Sequence, residues 1–399
     1  MKEKERKRIL VAVNNDLLTD ARVHRACSSL HAAGYEVELI GRLLPEGNSP
    51  LSRPYRTRRF PMRIRKGPLF YAEFNLKLYR TLRRLQGDAI LCNDTDALLA
   101  CYTAARRKHI PLLFDAHELF PELPEVVGRP WVCRTWQALE NYIFPKLRYS
   151  YTVCQSIADY YRNRYGIRMS VVRNIPQREK VPLKNTVPPA HTQQNTPEIS
   201  IPPGMKMLLY QGAVNIGRGI EWILSAMPLL PDCILYICGA GDCLQEMQQM
   251  AARSAAADRI RFTGRIPQEQ LKYYTLRADL GFVLLEKLGL SYYYALPNRM
   301  FDYMHYGVPV LATDFPEIRR IVEEAGSGSL IDRYEPEYVA ARIRDMLQAW
   351  SAPEQRAALR RRAESYCWEN EAKSLIALVE TALSRRKTDK RHLSQKHRA

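Results

Sequence analysis

Two stretches of this 399-residue chain alternate short apolar runs with helical periods, and that alternation limits the fold more than any other feature. Apolar runs bounded by polar or glycine-containing turns read as strands covered on both faces, which is how parallel sheets wound with helices are written. The first block offers strand Ile9–Val13, a helix from about Asp20 closed by Gly34, and strand Glu36–Ile40. It goes on with strand Ala89–Cys92, a helix through Ala104, strand Leu112–Asp115, and short strands at Val153-Cys154 and Val171-Val172. From Pro176 to Gly204 the chain is rich in Pro, Thr, Asn and Gln and has no period, as linkers do. The second block holds five strand–helix pairs, from strand Met207–Gly212 to a helix over Pro316–Ala325. Three more helical patterns follow, the last near Asn370–Leu383. The predicted division is a domain over 1–180, a linker over 181–204 and a domain over 205–368, then a helix over 369–384 and a basic tail over 385–399. A chain of this length suits two such α/β cores better than one.

Hydrophobic residues make up 46% and charged residues 26%, ordinary for a globular protein, and no apolar run is long enough to span a membrane. The opening MKEKERKRILVAV reads as a charged start followed by a first strand rather than as a signal peptide. Nine scattered cysteines without a CxxC pair suit a reducing compartment, and Cys233, Cys238 and Cys243 lack the spacing of a tetrahedral metal site. Net charge is +18 and unevenly spread, since residues 1–185 hold 33 Lys+Arg against 18 Asp+Glu. A basic half points to nucleic acid, an anionic membrane or an acidic substrate.

Residues Leu296–Val322, LPNRMFDYMHYGVPVLATDFPEIRRIV, are the most informative segment. Pro297 and Asn298 stand where a helix would start, as a first-turn proline and a polar cap would. Asp302 falls one turn in, near the positive end of that helix, where a carboxylate is stabilised and can accept hydrogen bonds from a diol. An isolated aspartate there is also readily explained as solvated surface. In Tyr210–Leu224, YQGAVNIGRGIEWIL, a strand ends at Gly212 and a glycine-flanked Arg218 opens a helix, an arrangement suited to a diphosphate. Gly239-Ala240-Gly241-Asp242 reads as a tight turn after the next strand. In the first block LLFDAHELFPELPE puts Asp115, His117 and Glu118 at a strand's carboxyl end, and Asn14–Ala26 supplies Asp16, Thr19, Asp20 and Arg22. Asp20 reads equally as a helix cap or as a ligand contact.

These segments resemble the group 1 (family 4) glycosyltransferases, and the resemblance runs over nearly the whole chain to YCWENEAKSLIALVETAL. It implies the GT-B fold, two Rossmann-like doubly wound domains facing across a cleft, with the terminal helix crossing back to the N-terminal domain. It implies transfer from a nucleotide sugar with retention. Asp302 would stand for the family's ribose-binding Glu, while Tyr294 occupies the place of a second Glu. Pro297-Asn298-Arg299 follows the Pro-Asn-Lys version of the segment. Gly212 and Arg218 match the phosphate-holding turn, where Ala213 replaces a second basic residue that Arg299 would supply. The backbone at Arg265 and Ile266 would meet the base, and His117 the donor sugar. Asp16, Thr19, Asp20 and Arg22 would meet the acceptor or the phosphates. Arg218 and Arg299 would offset charge on the leaving diphosphate, which in retaining members takes the acceptor proton, so no protein base is assigned. No cofactor and no metal is implied, since the nucleotide sugar is a substrate.

The run Ser52–Phe74 carries Arg56, Arg58, Arg59, Arg63 and Arg65 among aromatic residues. It reads either as a solvated loop or as a patch for anionic lipid headgroups. The expected partners are a nucleotide-sugar donor, a lipid-linked, polysaccharide or lipopolysaccharide-type acceptor and an anionic membrane surface, with no nucleic acid, since no binding module is present. The expected setting is cytoplasmic, peripheral at the inner face of the cell membrane, in cell-envelope polysaccharide synthesis. A GT-B sugar-nucleotide epimerase or hydrolase, and a non-catalytic nucleotide-sugar-binding scaffold, are the alternatives.

Overall fold

The computed structural model describes residues 6–15, 17–18, 20–44, 51–178 and 199–396, with 124–125 and 386–396 by backbone alone. Asp16, Thr19 and most of the 181–204 linker lie outside the described residues. The chain divides into two compact units, one of Met1–Asn174 with Trp368–Ala399 and one of Ile175–Cys367.

The first unit is built in the order β1 (Arg8–Ala12), α1 (Ala21–Ala32), β2 (Glu36–Leu43), β3 (Arg56–Pro61), α2 (Pro68–Arg84), β4 (Ala89–Asn93) and α3 (Leu98–Lys108). It continues with β5 (Leu112–Ala116), α4 (Pro124–Val127), α5 (Pro130–Ile143), β6 (Tyr149–Thr152), α6 (Gln155–Tyr165) and β7 (Ser170–Val171). The sheet order is β3-β2-β1-β4-β5-β6-β7, and every pairing is parallel. The order reverses between β1 and β4, and crevices at such reversals, outside the carboxyl ends of the strands, are where doubly wound sheets take ligands. Four of the five β1 residues are fully buried, which is why RILVA carries no alternation. Asp20 caps α1 by accepting from the Val23 N–H at 3.0 Å.

The second unit has β8 (Lys206–Gln211), α7 (Ile220–Ala226), β9 (Cys233–Cys238), α8 (Leu244–Ala252), β10 (Ile260–Gly264), α9 (Gln268–Arg277) and β11 (Leu280–Val283). After these come α10 (Leu290–Tyr293), α11 (Asn298–His305), β12 (Val310–Thr313), α12 (Pro316–Ala325), β13 (Gly328–Ile331), α13 (Pro336–Ala349) and α14 (Pro353–Ala363). Its parallel sheet runs β10-β9-β8-β11-β12-β13 and reverses between β8 and β11. Helix α11 seats Tyr303 over the sheet, its hydroxyl donating to the Leu209 carbonyl at 2.8 Å. A Cβ on Gly281 would come within 2.7 Å of that ring, so the strand carries glycine there.

The last helix, α15 (Trp368–Lys396), belongs to the first unit. Trp368, Ala372, Leu375, Val379 and Ala382 fall on one stripe and bury against the core that includes Val23, Cys27 and Leu30 of α1. The Trp368 indole donates to Ser29 Oγ at 2.8 Å, and Arg173 grips Glu371 through Nε and Nη2 at 2.9 and 2.7 Å. Each large side chain so buried contributes about 1.5–3 kcal/mol.

Several elements differ from the sequence reading. Val153-Cys154 is not a strand; β6 is the preceding YSYT, whose polar atoms hid it. The basic run at 56–61 is not a loop but β3, an edge strand, where arginines and a terminal proline suit an exposed row of backbone groups. Asn298 does not cap α11: the cap position is Pro297, and Asn298 is the first helical residue. The terminal helix extends to Lys396, through most of the predicted tail.

Candidate active site

In the second unit the carboxyl ends of β8 and β9 are clasped together by glycines. Gly212 N–H donates to the Cys238 carbonyl at 3.0 Å, and Val214 N–H to the Ala240 carbonyl at 3.1 Å. A Cβ on Gly239 would lie 1.8 Å from the Gly212 oxygen, so the turn 239–242 tolerates no side chain at that point. Gly212 itself sits at φ +133°, where L-residues are strained.

Arg299, in the first turn of α11, reaches into the reversal between β8 and β11. Its Nη1 lies 3.4 Å from the Tyr210 hydroxyl of β8, and its Nη2 donates to the Leu284 carbonyl just after β11 at 3.4 Å. The guanidinium covers the Tyr210 ring at 4.9 Å and is only 9% exposed. Arg218 stands between two left-handed glycines, Gly217 at φ +75° and Gly219 at +63°, with its guanidinium 4.9 Å from the Tyr292 ring. Among the described residues neither arginine pairs with a carboxylate, and the Nε of each is buried without a hydrogen-bond partner. Two cations at glycine-lined strand ends, neither paired with a carboxylate among the described residues, form a place for an anion.

The structure thus brings Gly212 and Arg299 together and keeps Arg218 on the same strand-end loop. Asp302 is half-buried in the middle of α11, Asn298 is exposed at its start, and Arg265 and Ile266 follow β10, the first exposed and the second packed on the core. Tyr294 closes α10, its N–H donating to the Leu290 carbonyl. Glu286, which the sequence did not single out, follows β11 and lies beside Glu221 of α7. Burial and that neighbour raise its pKa.

The first unit gathers charge at its own reversal. Arg22 of α1 is buried and grips Asp115 of β5 through Nε and Nη2 at 3.0 and 2.8 Å, and its Nη1 donates to the Val172 carbonyl at 3.0 Å. It is therefore an internal anchor rather than an exposed loop residue. His117 sits between Asp115 and Asp94: Nε2 is 2.9 Å from Asp115 Oδ2, Nδ1 is 3.0 Å from Asp94 Oδ2, and its N–H donates to Asp94 Oδ1 at 2.9 Å. Burial alone would lower the imidazole pKa, but the two carboxylates together outweigh it and hold the ring cationic well above its ordinary value. Asp115 is lowered to about 2, the charges of Arg22 and His117 overcoming the cost of its burial. Asp94 has φ +63° and ψ 164°, a glycine-like conformation costing about 1–3 kcal/mol that the strand-end bonds hold in place.

Across the β1–β4 reversal Asn14 Nδ2 donates to Asp96 Oδ2 at 2.6 Å. Asn14 Oδ1, Asp96 Oδ1 and Asn93 Oδ1 are buried and have no hydrogen-bond partner among the described residues. Burial first, and then the charge of Asp94, raise Asp96 to about 7. Sequence reasoning missed Asp94, Asp96 and Asn14. The signal for the first two was Asn93-Asp94-Thr95-Asp96 directly after a buried strand, the position it had weighed for Asp115 and His117.

Paired doubly wound units, one presenting glycine-lined strand ends to an anion, define the architecture of GT-B proteins. A family profile described as Glycosyl transferases group 1 matches residues 192–366, and one described as Glycosyltransferase Family 4 matches 21–177. The chain belongs to the group 1 (family 4) glycosyltransferases and has their GT-B fold. It is 23% identical over 185 residues to an uncharacterized glycosyltransferase of Methanocaldococcus jannaschii, a match covering 45% of each chain. It is 28% identical over 143 residues to the GDP-mannose-dependent alpha-(1-6)-phosphatidylinositol monomannoside mannosyltransferase of Mycolicibacterium smegmatis, covering 33% of this chain and 35% of that one. These matches span less than half the length of the curated relatives. Among solved structures, sucrose-phosphate synthase from Thermosynechococcus elongatus aligns with a TM-score of 0.76 at 19% identity, over 95% of this chain and all of that one. Anabaena Alr3699/HepE in complex with UDP-glucose aligns at 0.64 and 15%, over 94% and 99%. Likeness at such identity concerns the fold.

Proposed function

We propose that this protein moves a sugar from a nucleotide diphosphate sugar, bound at the carboxyl edge of the second sheet, to a lipid-linked, polysaccharide or lipopolysaccharide-type acceptor bound by the first unit, with retention. The reading rests on Arg299, a buried guanidinium with no carboxylate partner among the described residues, set against Gly212, where only a glycine fits. A diphosphate would lie along these strand ends, its growing negative charge met by Arg299 and Arg218 as the sugar becomes cationic. Asp302 would take the ribose hydroxyls and the backbone at Arg265 and Ile266 the base. The fixed imidazolium of His117 would stand beside the donor sugar, and Asp20 near the acceptor or the phosphates. The leaving phosphate takes the acceptor proton, and the reaction as proposed uses no resident cofactor. The UDP-glucose complex of the Anabaena protein and the GDP-mannose donor and phosphatidylinositol monomannoside acceptor for which the mycobacterial relative is named agree with this chemistry.

Contact with an anionic membrane surface through the basic first unit belongs to the same proposal. Among the described residues no helix is long and apolar enough to cross a membrane. Tyr294, in place of the second acidic residue, favours the scaffold reading, and an epimerase or hydrolase is the other alternative. One assay separates them: UDP-, GDP- and ADP-sugars are offered with and without a bacterial membrane lipid extract. Sugar appearing in lipid or glycan with its anomeric configuration kept supports transfer. Nucleotide release without transfer indicates hydrolysis, an isomeric nucleotide sugar indicates epimerisation, and binding without turnover indicates a scaffold.

A further inference from the structure

A groove of about 1070 Å³ runs along the first unit between α2, α3 and α5, with walls that are mostly apolar. Each of these helices follows a strand of a parallel sheet, so each starts at the carboxyl edge of the strands and runs away from it. The groove follows that direction, from Tyr71, Phe120 and Arg129 near the strand ends to Tyr79, Thr103 and Tyr142 at its far end. From Pro68 to Tyr79 the α2 wall is roughly 16 Å long, room for about a dozen extended methylenes.

Leu76, Leu99 and Tyr142 along this groove are 48%, 45% and 55% exposed, and Trp131 beside it is 78% exposed. Exposed apolar surface of that extent marks a binding surface. Three aromatic rings at or beside it carry cations: Trp131 under Arg134 at 5.4 Å, Tyr142 under Lys146 at 3.2 Å and Tyr102 under Arg106 at 5.7 Å. Ring and cation side by side are what a water–lipid boundary selects.

The two ends differ chemically. At the strand-end mouth Arg129 stands exposed at the start of α5, whose positive helix end adds to its charge. The polar strand-end loop lies immediately behind the mouth. Asn75, in the groove wall, donates to the Asp96 carbonyl at 2.8 Å and accepts from the Ala100 N–H at 3.0 Å. The charge of Asp96 also acts on the Tyr71 phenol. An amphiphile with its chain in the groove and an anionic head at Arg129 would thus carry that head at the strand-end side of the unit.

We propose that this groove holds the hydrocarbon chain of a phosphate-bearing single-chain lipid, with the phosphate at Arg129, and that this lipid carries the acceptor. The proposal rests on the lipid-linked reading of the acceptor, but its test does not depend on sugar transfer.

The experiment measures binding to the full-length protein by calorimetry below micelle formation, using octyl phosphate, decyl phosphate, dodecyl phosphate and inorganic phosphate. Affinity should rise about fourfold for each added methylene, with inorganic phosphate binding at least a hundredfold more weakly than dodecyl phosphate. Ala138→Trp and Thr103→Trp add bulk at exposed groove positions, away from the core, and should each weaken dodecyl phosphate at least tenfold with unchanged melting curves. Arg129→Gln should weaken dodecyl phosphate and leave neutral dodecyl maltoside unaffected. Affinity independent of chain length overturns the proposal, as does parental affinity in both tryptophan variants. A dimer that the filled variants abolish and that the lipid does not disperse overturns it too, since the groove would then be an interface between copies. If the filled variants transfer sugar to lipid as the parent does, the groove is wrong and the acceptor reading stands. If dodecyl phosphate binds as described while no lipid is ever glycosylated, the groove stands and the acceptor reading falls.

Discussion

The guanidinium of Arg299 fills the space that a side chain at Gly212 would need: a Cβ there would lie 2.9 Å from Nη1, on backbone at φ +133°. The two residues are 87 positions apart and meet because the sheet order reverses between β8 and β11. The strand-end glycine and the helix-borne cation therefore work as a single device for an anion.

Gly212→Ala should break that device at both ends. The left-handed backbone costs about 1–3 kcal/mol, and the new methyl displaces Arg299. Calorimetry with UDP and GDP should show whichever nucleotide the parent binds weakened at least tenfold. Arg299→Met, which keeps length and loses charge, should lower kcat roughly a hundredfold, the usual scale for one missing charge-stabilising donor. If Arg299→Met raises only the donor's KM, the arginine does not act on the leaving group.

Two buried aspartates in the first unit should shift stability in opposite directions with pH. Asp115 is lowered to about 2, so its contribution is present above the unfolded value near 4 and is lost as pH falls through about 2. Asp96 is raised to about 7, so its contribution is present below about 4 and is lost as pH rises through about 7. Glu140 is also raised to about 7, chiefly by burial, and acts in the same sense. Urea midpoints should fall between pH 5 and pH 8, with the raised His117 adding to the fall above its unfolded value near 6.5, and Asp96→Asn should remove part of that fall. Arg22→Ala should cost about 3 kcal/mol at pH 7, because it leaves the buried, charged Asp115 with His117 as its remaining cationic partner. A variant as stable as the parent would show that the pair is not what holds β5 against α1.

The five arginines of the basic run should divide by their partners. Arg56 pairs with Glu36 at 3.2 Å, and Arg58 pairs with the buried Glu38 at 2.7 Å, while Arg63 and Arg65 are exposed and their guanidiniums form no ion pair with a carboxylate among the described residues. Arg58→Ser should therefore cost about 1 kcal/mol of stability, because Glu38 keeps Arg8 but loses its second partner. Arg63→Ser with Arg65→Ser should leave stability alone and weaken flotation with anionic vesicles, an effect that salt in the parent should mimic. Equal flotation of parent and double variant would make these two arginines ordinary surface.

What could be read from the sequence follows from which residues carry the signal. Strands such as RILVA and CILYIC announce themselves because both faces are buried. RTRRFP and YSYT do not, since an edge strand and a strand of hydroxyl-bearing side chains lack an apolar run. Helix α2 escaped notice among the arginines before it, although Phe70, Phe74, Leu78 and Leu82 mark a clear buried stripe. At the site, Gly212, Arg218 and Arg299 were legible because glycine and cation stand beside recognisable strand ends. The Asn14–Asp96 and Arg22–Asp115 partnerships were not, because each spans 82 or 93 residues and exists only through the order of strands.

The seating of α15 against α1 also bears on the order in which the protein can be completed. Trp368, Leu375 and Val379 leave the ribosome after the whole of Ile175–Cys367, about 190 residues later than the rest of the unit they finish. At about 5–20 residues per second, the α1 face awaits its cover for roughly 10–40 s. During that interval the second unit can fold by itself, while the first exposes an apolar stripe to the crowded surroundings of a nascent chain. The first unit is thus begun first and finished last, and premature release of the chain would leave its core open.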